Sequence, residues 1–222
     1  NTIAVGAPYD EINPSGIGTY GVVYVFDREG NNFTEVDQLT GFGDTFDSFG
    51  FMKSVAISAD GKTIFVGAHN DETPGPGTQD YGLVHVFDRK GNNFNHVGFL
   101  TGSYASDEYD EFGRSVATSA DGNTIAVGAI KDEINPSGIG TYGVVYVFDR
   151  QGNNFNEVGI LTGSYASDED DEFGYSVATS ADGKTIVVGA RYDELPTSSS
   201  SSGVVYVFDR EGNNFNEVGI LT

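Results

Sequence analysis

Residues 173–190 read Phe-Gly-Tyr-Ser-Val-Ala-Thr-Ser-Ala-Asp-Gly-Lys-Thr-Ile-Val-Val-Gly-Ala, and residues 203–221 read Gly-Val-Val-Tyr-Val-Phe-Asp-Arg-Glu-Gly-Asn-Asn-Phe-Asn-Glu-Val-Gly-Ile-Leu. Four strands follow from this text. Phe173 to Ser180 is the first, and Ala181-Asp182-Gly183-Lys184 closes it with the Asp-Gly signature of a hairpin turn. Thr185 to Ala190 is the second. After a polar loop, Gly203 to Asp209 is the third, apolar on both faces. Arg210 to Asn214 makes a Gly-Asn turn, and Phe215 to Leu221 is a more polar fourth strand. β-Branched and aromatic residues suit a pleated surface throughout, and no segment carries a sustained 3.6-residue apolar period.

The same text recurs along the whole chain. Val-Gly-Ala stands at Val5, Val66, Val127 and Val188, each 61 residues after the last. Phe-Asp-Arg begins at Phe26, Phe87, Phe148 and Phe208, and Gly-Asn-Asn-Phe at Gly30, Gly91, Gly152 and Gly212. Insertions fall only between these anchors, so one structural unit is copied four times, with boundaries 1–41, 42–102, 103–163 and 164–222 inside a single domain. A strand apolar on both faces must be covered on both sides. Four-stranded antiparallel sheets stacked face to face do this, and a ring of them is a β-propeller. The Gly-Ala ending of each second strand suits close approach of neighbouring sheets. A solenoid repeats at roughly 20–30 residues per coil and a tandem sandwich needs about seven strands per unit, so neither fits. The expected fold is all-β.

Asn1 aligns with Asn123, so the chain opens at a second strand and the first unit is expected to lack its innermost strand. That register is expected of a segment of a longer polypeptide or of a subunit sharing sheets in an assembly. A compact four-bladed ring with one thin sheet is the rival.

Once the repeat is laid out, Phe-Gly opening the first strand (Phe49-Gly50, Phe112-Gly113, Phe173-Gly174) and Val-Gly-Ala closing the second resemble the FG-GAP repeat of integrin α-subunit propellers. Gly6-Ala7-Pro8 is the fullest match, and the Gly-Val-Val-Tyr-Val stretches at 21–25, 143–147 and 203–207 resemble that family's third strand. The resemblance implies a propeller used for adhesion or binding at the cell surface. It also implies Asp-rich calcium loops between first and second strands. Those turns read only Ser58-Ala59-Asp60-Gly61-Lys62, Ser119-Ala120-Asp121-Gly122-Asn123 and Ser180-Ala181-Asp182-Gly183-Lys184. Calcium takes six to eight oxygens, and one carboxylate per turn does not cage it. The family's calcium sites are therefore not carried over.

Charge bounds the partners. Eleven basic against 33 acidic residues give a net charge of −22. No basic face is available to displace counterions from nucleic acid, and anionic membrane surfaces are disfavoured. No apolar run approaches the ~18 residues of a membrane span. Of the 33 acids, 20 fall in the second-to-third and fourth-to-first loops, which lie on one face of such a fold. Asp107, Glu108, Asp110, Glu111, Asp168, Asp170, Asp171, Glu172, Asp193 and Glu194 are the expected ligand face, for a cation or a basic partner. Asp168 and Asp170 would bridge a calcium ion were the Asp193-Glu194 loop turned inward; the plainer alternative is a solvated charge run. Tyr9, Tyr20, Tyr104, Tyr142, Tyr165 and Tyr192 decorate the same loops and suggest a carbohydrate-binding lectin, although packing of each loop on its own sheet explains a repeated tyrosine too. Asn32-Phe33-Thr34 is a glycosylation sequon. Pro196 to Ser202 reads as a slack or O-glycosylated loop.

Enzymatic chemistry is not expected. There is no cysteine, and His69, His85 and His96 all lie in one unit. His85 takes the slot held by Tyr24, Tyr146 and Tyr206, which reads as a strand substitution. The expected function is an extracellular, non-catalytic adhesion or scaffolding module, with a lectin or a structural subunit of a surface filament or coat as alternatives. Its partners would be a protein, a glycan or copies of itself.

Overall fold

The computed structural model describes residues 1–10, 21–41, 49–50, 54–71, 81–105, 110–132, 134, 143–166, 170–195 and 202–222. Among them every regular element is a strand, and the strands form four antiparallel sheets in chain order. The first contains β1 (Thr2–Ala7), β2 (Val22–Glu29) and β3 (Asn32–Leu39). β4 (Val55–Ile57), β5 (Thr63–Ala68), β6 (Leu83–Lys90) and β7 (Asn93–Leu100) make the second. The third comprises β8 (Phe112–Thr118), β9 (Thr124–Ala129), β10 (Val144–Gln151) and β11 (Asn154–Leu161). In the fourth are β12 (Phe173–Thr179), β13 (Thr185–Ala190), β14 (Val204–Glu211) and β15 (Asn214–Leu221). Strands lie in sequence order within each sheet, and among the described residues β1 has no partner on the edge where β5, β9 and β13 pair with the first strands of their repeats.

Local chemistry fixes each hairpin. Gly183 has φ +68° and Gly212 φ +65°, a conformation that side-chain-bearing residues resist. In the first turn Ser180 Oγ donates to Asp182 Oδ1 at 2.6 Å, and Thr185 N–H donates back to Ser180 Oγ at 3.0 Å. In the second, Gly212-Asn213 is a two-residue loop between the paired Glu211 and Asn214. Every fourth strand carries a bulge: Val36, Val97, Val158 and Val218 are each left out of the pairing with the third strand. The added twist matches what stacked sheets require.

The sheets pack flank to flank. Ile64 and Val66 of β5 lie on Val23, Val25 and Leu39 of the first sheet. Ile125 and Val127 of β9 meet Val84, Val86 and Leu100 of the second, and Ile186 and Val188 of β13 meet Val145, Val147 and Leu161 of the third. The two signature motifs turn out to be one contact. A Cβ built on Gly6, Gly67 or Gly128 would come within 2.0–2.1 Å of the carbonyl oxygen of Gly50, Gly113 or Gly174 in the following sheet. Only glycine fits there, as the Gly-Ala ending led us to expect. The phenylalanine beside that carbonyl plugs its own sheet: Phe112 is fully buried, 5.5 Å from the Tyr146 ring and 6.1 Å from Phe148 between ring centroids.

A polar ladder runs along the opposite edge. The guanidinium of Arg150 donates from Nη1 to Asp88 Oδ1 at 2.9 Å, and its Nη2 pairs with Asp88 Oδ2. Arg89 makes the same fork on Asp27, and Arg210 on Asp149 at 2.7 and 2.6 Å. Each fork joins one sheet to the sheet before it, and bidentate geometry makes it a strong and directional bond. The Arg89 hydrogen bond holds the Asp27 carboxyl down at about 2, with Thr2 adding to the effect and partial burial opposing it. For Asp88 burial opposes the charge, yet Arg150 and Thr63 still keep its carboxyl below the ordinary range. Backbone bonds add a third link: Ala59 N–H donates to Ala120 O at 2.8 Å, and Ala120 N–H to Ala181 O at 2.9 Å. Repeats joined by three kinds of contact to their nearest neighbours form a one-dimensional array in energetic terms.

Candidate functional site

The loops joining second to third strands are built on a common stem. Each begins at an aspartate three residues past the Gly-Ala ending: Asp10, Asp71, Asp132 and Asp193. Gly21 N–H donates to Asp10 O at 3.1 Å, Gly82 N–H to Asp71 O at 3.0 Å and Gly203 N–H to Asp193 O at 3.1 Å, closing the loop at its base. The aspartate side chain turns inward. Tyr24 Oη donates to Asp10 Oδ2 at 2.6 Å, and the hydroxyls of Tyr146 and Tyr206 donate to Asp132 and Asp193. Burial, together with these carboxylates, pushes the Tyr146 and Tyr206 hydroxyls far above the usual phenol range, so both remain donors.

The second sheet solves the same problem with histidine. His85 Nε2 lies 2.6 Å from Asp71 Oδ2, and His85 Nδ1 lies 3.2 Å from His96 Nε2. With Nε2–H of His85 donating to the carboxylate, Nδ1 is left as the acceptor for His96 Nε2–H. The reading of His85 as a strand substitution is thus given its physical content: the imidazole replaces the tyrosine hydroxyl on the loop-stem aspartate. Burial is the main cause that lowers His96 to about 4, and the neighbouring His85 ring opposes a second positive charge beside it.

His69, at the mouth of the same loop, is also lowered to about 4, chiefly by burial; Glu111 opposes the shift while Arg114 and Lys131 add to it. An unfolded histidine titrates near 6.5, so between about pH 6.5 and 4 the unfolded chain takes up a proton that native His69 refuses. Stability should therefore fall as pH drops through that window, by about 3 kcal/mol from this group at pH 4. His69→Ile, which installs the residue found at the equivalent Ile130, should flatten the decline in melting temperature over that window. Parallel declines in both proteins would contradict this assignment.

The structure separates the expected acidic ligand face into distinct groups. Asp107, Glu108 and Asp168 lie outside the described residues. Asp170 is exposed. Asp110, Asp171 and Asp193 are buried, and the backbone carbonyls of the first two accept from Lys131 N–H and Tyr192 N–H, both at 3.3 Å. Glu111 and Glu172 adopt left-handed backbone, φ +54° and +52°, just before the Phe-Gly step. Glu111 pairs with Lys131 at 2.6 Å and Arg114 at 3.2 Å, and Glu172 with Arg191 at 2.9 Å. Glu194 is half-buried beside Asp193, whose Oδ1 accepts its N–H at 2.6 Å. These acids anchor loop bases, and burial is the physical reason they cannot all face a ligand. Asn32 is exposed at the opposite end of its sheet.

Calcium fits poorly at the turns where the family resemblance would put it. Asp121 Oδ1 already accepts from Ser119 Oγ at 2.6 Å and from Asn123 N–H at 3.0 Å, and its Oδ2 accepts from Asn123 Nδ2 at 2.8 Å. Ser119 and the Asn123 backbone hold that carboxyl below its ordinary range. Among the described residues no three acidic, histidine or cysteine side chains converge on a point where an ion would sit. Of the loop tyrosines, Tyr9, Tyr104, Tyr165 and Tyr192 are exposed, while Tyr20 and Tyr142 lie outside the described residues. Arg191 sits 4.3 Å from the Tyr192 ring centroid and 4.4 Å from that of Tyr175.

Sequence reasoning missed two roles. The aspartate of Phe-Asp-Arg binds the arginine of the next repeat, and the aspartate of each Asp-Glu pair locks its loop. A signal for the second was present, since a tyrosine slot that accepts only histidine as a replacement asks for a hydrogen-bond donor.

Comparison with known proteins agrees with this architecture. The FG-GAP repeat family matches residues 104–148 and 155–208. Among solved structures, TolB from Acinetobacter baumannii aligns with a TM-score of 0.50 at 12% identity, over 97% of this chain and 41% of that one. That likeness is one of fold, and this chain spans less than half the length of that protein. No curated protein matches the chain in sequence.

Proposed function

We propose that this chain, which carries FG-GAP repeats over residues 104–148 and 155–208, is a non-catalytic propeller-type binding module that works outside the cell and offers its acidic loop face to a cationic protein partner. One observation carries the reading. The equivalent loops carry three different sequences, Glu11–Tyr20 (repeated unchanged at Glu133–Tyr142), Glu72–Tyr81 and Glu194–Ser202, and the stems of these three close by the same Asp-Gly bond. A rigid scaffold that presents divergent loops from a fixed base is how binding surfaces are commonly built. FG-GAP repeats are typical of extracellular proteins, which supports the location. The net charge of −22 supports a cationic partner, because charge complementarity steers encounter and suppresses wrong partners.

Binding to an immobilised decalysine peptide tests this. Neutralising Asp107 and Asp168 together should weaken binding several-fold more than neutralising Glu29 and Glu211 at the opposite end. Equal losses would show a generic polyanion with no working face. A lectin is the second reading, favoured by the exposure of Tyr104 and Tyr165 at equivalent places in two repeats. Selective hits on a glycan array that vanish on changing both to alanine would establish it instead.

A further inference from the structure

Two of the segments that leave a fourth strand are held more firmly than loop closure asks. Gly102 lies buried against the Tyr146 ring, where a Cβ would stand 2.6 Å from Cζ, and Gly163 lies on Tyr206 in the same way at 2.7 Å. Ser103 donates from its N–H and Oγ to the two carboxylate oxygens of Glu157, at 2.9 and 2.8 Å. Ser164 does the same to Glu217, at 3.1 and 2.7 Å. The next amides, those of Tyr104 and Tyr165, donate to the hydroxyls of Tyr146 and Tyr206. Ala105 and Ala166 beyond them pack on the cores of the two junctions. Each clamp is supplied by the sheet that follows the segment. Between these anchors the Tyr104 and Tyr165 side chains stand out, 44% and 40% exposed. Tyr104 belongs to the junction of the second and third sheets, with the first and fourth packed outside them, so its exposure is that of an interior position.

The repeat indicates what the clamp serves. At the junction of the first and second sheets the segment reads Gly41-Phe42-Gly43, with no serine to clamp and no tyrosine to display. There the clamping tyrosine and glutamate are replaced as well, by His85 and His96. Ser-Tyr and its Tyr-Glu clamp thus occur together at two junctions and are missing together at the third. The clamp goes with the displayed tyrosine and not with the junction as such.

A ring whose backbone is fixed on both sides loses little freedom on binding, which suits tyrosine as a contact residue. The surrounding chemistry selects the ligand. Asp107-Glu108 and Asp168-Glu169 follow the two tyrosines by three and four residues, in a chain of net charge −22. An aromatic face attracts cations, and the planar, weakly hydrated guanidinium stacks on it better than an ammonium does. The chain already holds one guanidinium in this manner, Arg191 against the Tyr175 and Tyr192 rings. We propose that Tyr104 and Tyr165 are two equivalent arginine-binding positions, each stacking a guanidinium of the cationic partner. The proposal rests on the reading of the acidic loop face as a binding surface and names what that face prefers, arginine over lysine. A partner with arginines at two places engages both positions at once and gains from the second as an intramolecular event.

Binding to immobilised deca-arginine and decalysine peptides at one salt concentration tests it. Arginine also forks onto carboxylates, so the share owed to the tyrosines is read from variants. Tyr104→Leu and Tyr165→Leu keep an apolar side chain at an exposed place and should leave circular dichroism and melting unchanged. Each should weaken deca-arginine binding about two- to five-fold and leave decalysine binding as it was. The double variant should lose as much as the two combined. Unchanged deca-arginine binding in the double variant, or equal losses for the two peptides, would overturn the proposal while the acidic-face reading stands. A wild-type chain that binds neither peptide would sink that reading and this one with it. Glycan-array hits that vanish in the double variant, with deca-arginine binding unaffected, would overturn it by giving the tyrosines to a sugar.

Discussion

Gly128→Ala should destabilise the junction between the third and fourth sheets by about 3 kcal/mol or more, a steric cost at the upper end for single substitutions. The new methyl group would stand 2.1 Å from Gly174 O and 2.6 Å from Ser115 Oγ. The serine can rotate, although it would then give up its 2.7 Å bond to the same Gly174 oxygen. The carbonyl belongs to the backbone of β12 and moves only if the sheet moves. Gly189→Ala is the matched control. It places the same methyl in the same motif, but only Ser176 Oγ lies close, at 2.6 Å, and among the described residues no backbone carbonyl of another sheet faces it. Its cost should stay under about 1 kcal/mol, partly offset by the smaller chain entropy that alanine loses on folding. Urea unfolding of the two variants provides the comparison, and equal losses would mean that the motif serves its own strand and not the junction.

Phe112→Ala should cost about 3–5 kcal/mol, the range for deleting a buried aromatic ring when the surroundings cannot collapse into the space. Collapse is hindered here from several sides. Phe112 N–H donates to Tyr81 O at 3.1 Å, and a Cβ on Gly82 would lie 2.1 Å from Phe112 O, so the backbone is held against the preceding sheet. The ring itself packs between Tyr146 and Phe148. Tyr146 in turn holds Asp132 and the stem of the loop above it. The same variant should therefore loosen that loop, seen as faster amide exchange at Lys131 and Asp132. A loss below about 1 kcal/mol would show that the ring is not part of the core.

Much of this architecture was legible in the sequence because the repeat reports on itself. Val-Gly-Ala and Phe-Gly each looked like a strand terminus, and β-branched alternation with Asp-Gly and Gly-Asn turns gave the strands of the last repeat to within one or two residues. What the text could not display was partnership across repeats. Arg150 and Asp88 are 62 positions apart, and nothing near either residue marks the other. The acidic loops were harder still. Asp110, Asp171 and Asp193 look like members of a solvated charge run, yet a carboxylate that finds a buried donor is stable inside the fold, as Asp193 does at Tyr206. Composition counts charges, and it takes geometry to tell which of them are committed.

The central claim is that each sheet depends on its neighbour through the seam where the two glycines of the signature motifs meet. Amide hydrogen exchange across Gly128→Ala reads that dependence most directly. Among the described residues the last sheet packs on the third alone, and the seam lies at the centre of that junction beside the Arg210–Asp149 fork, so exchange in β12 to β15 should accelerate while β1 to β7 keep their protection. Acceleration confined to β8 to β11, with the last sheet as protected as in the wild-type chain, would contradict the account.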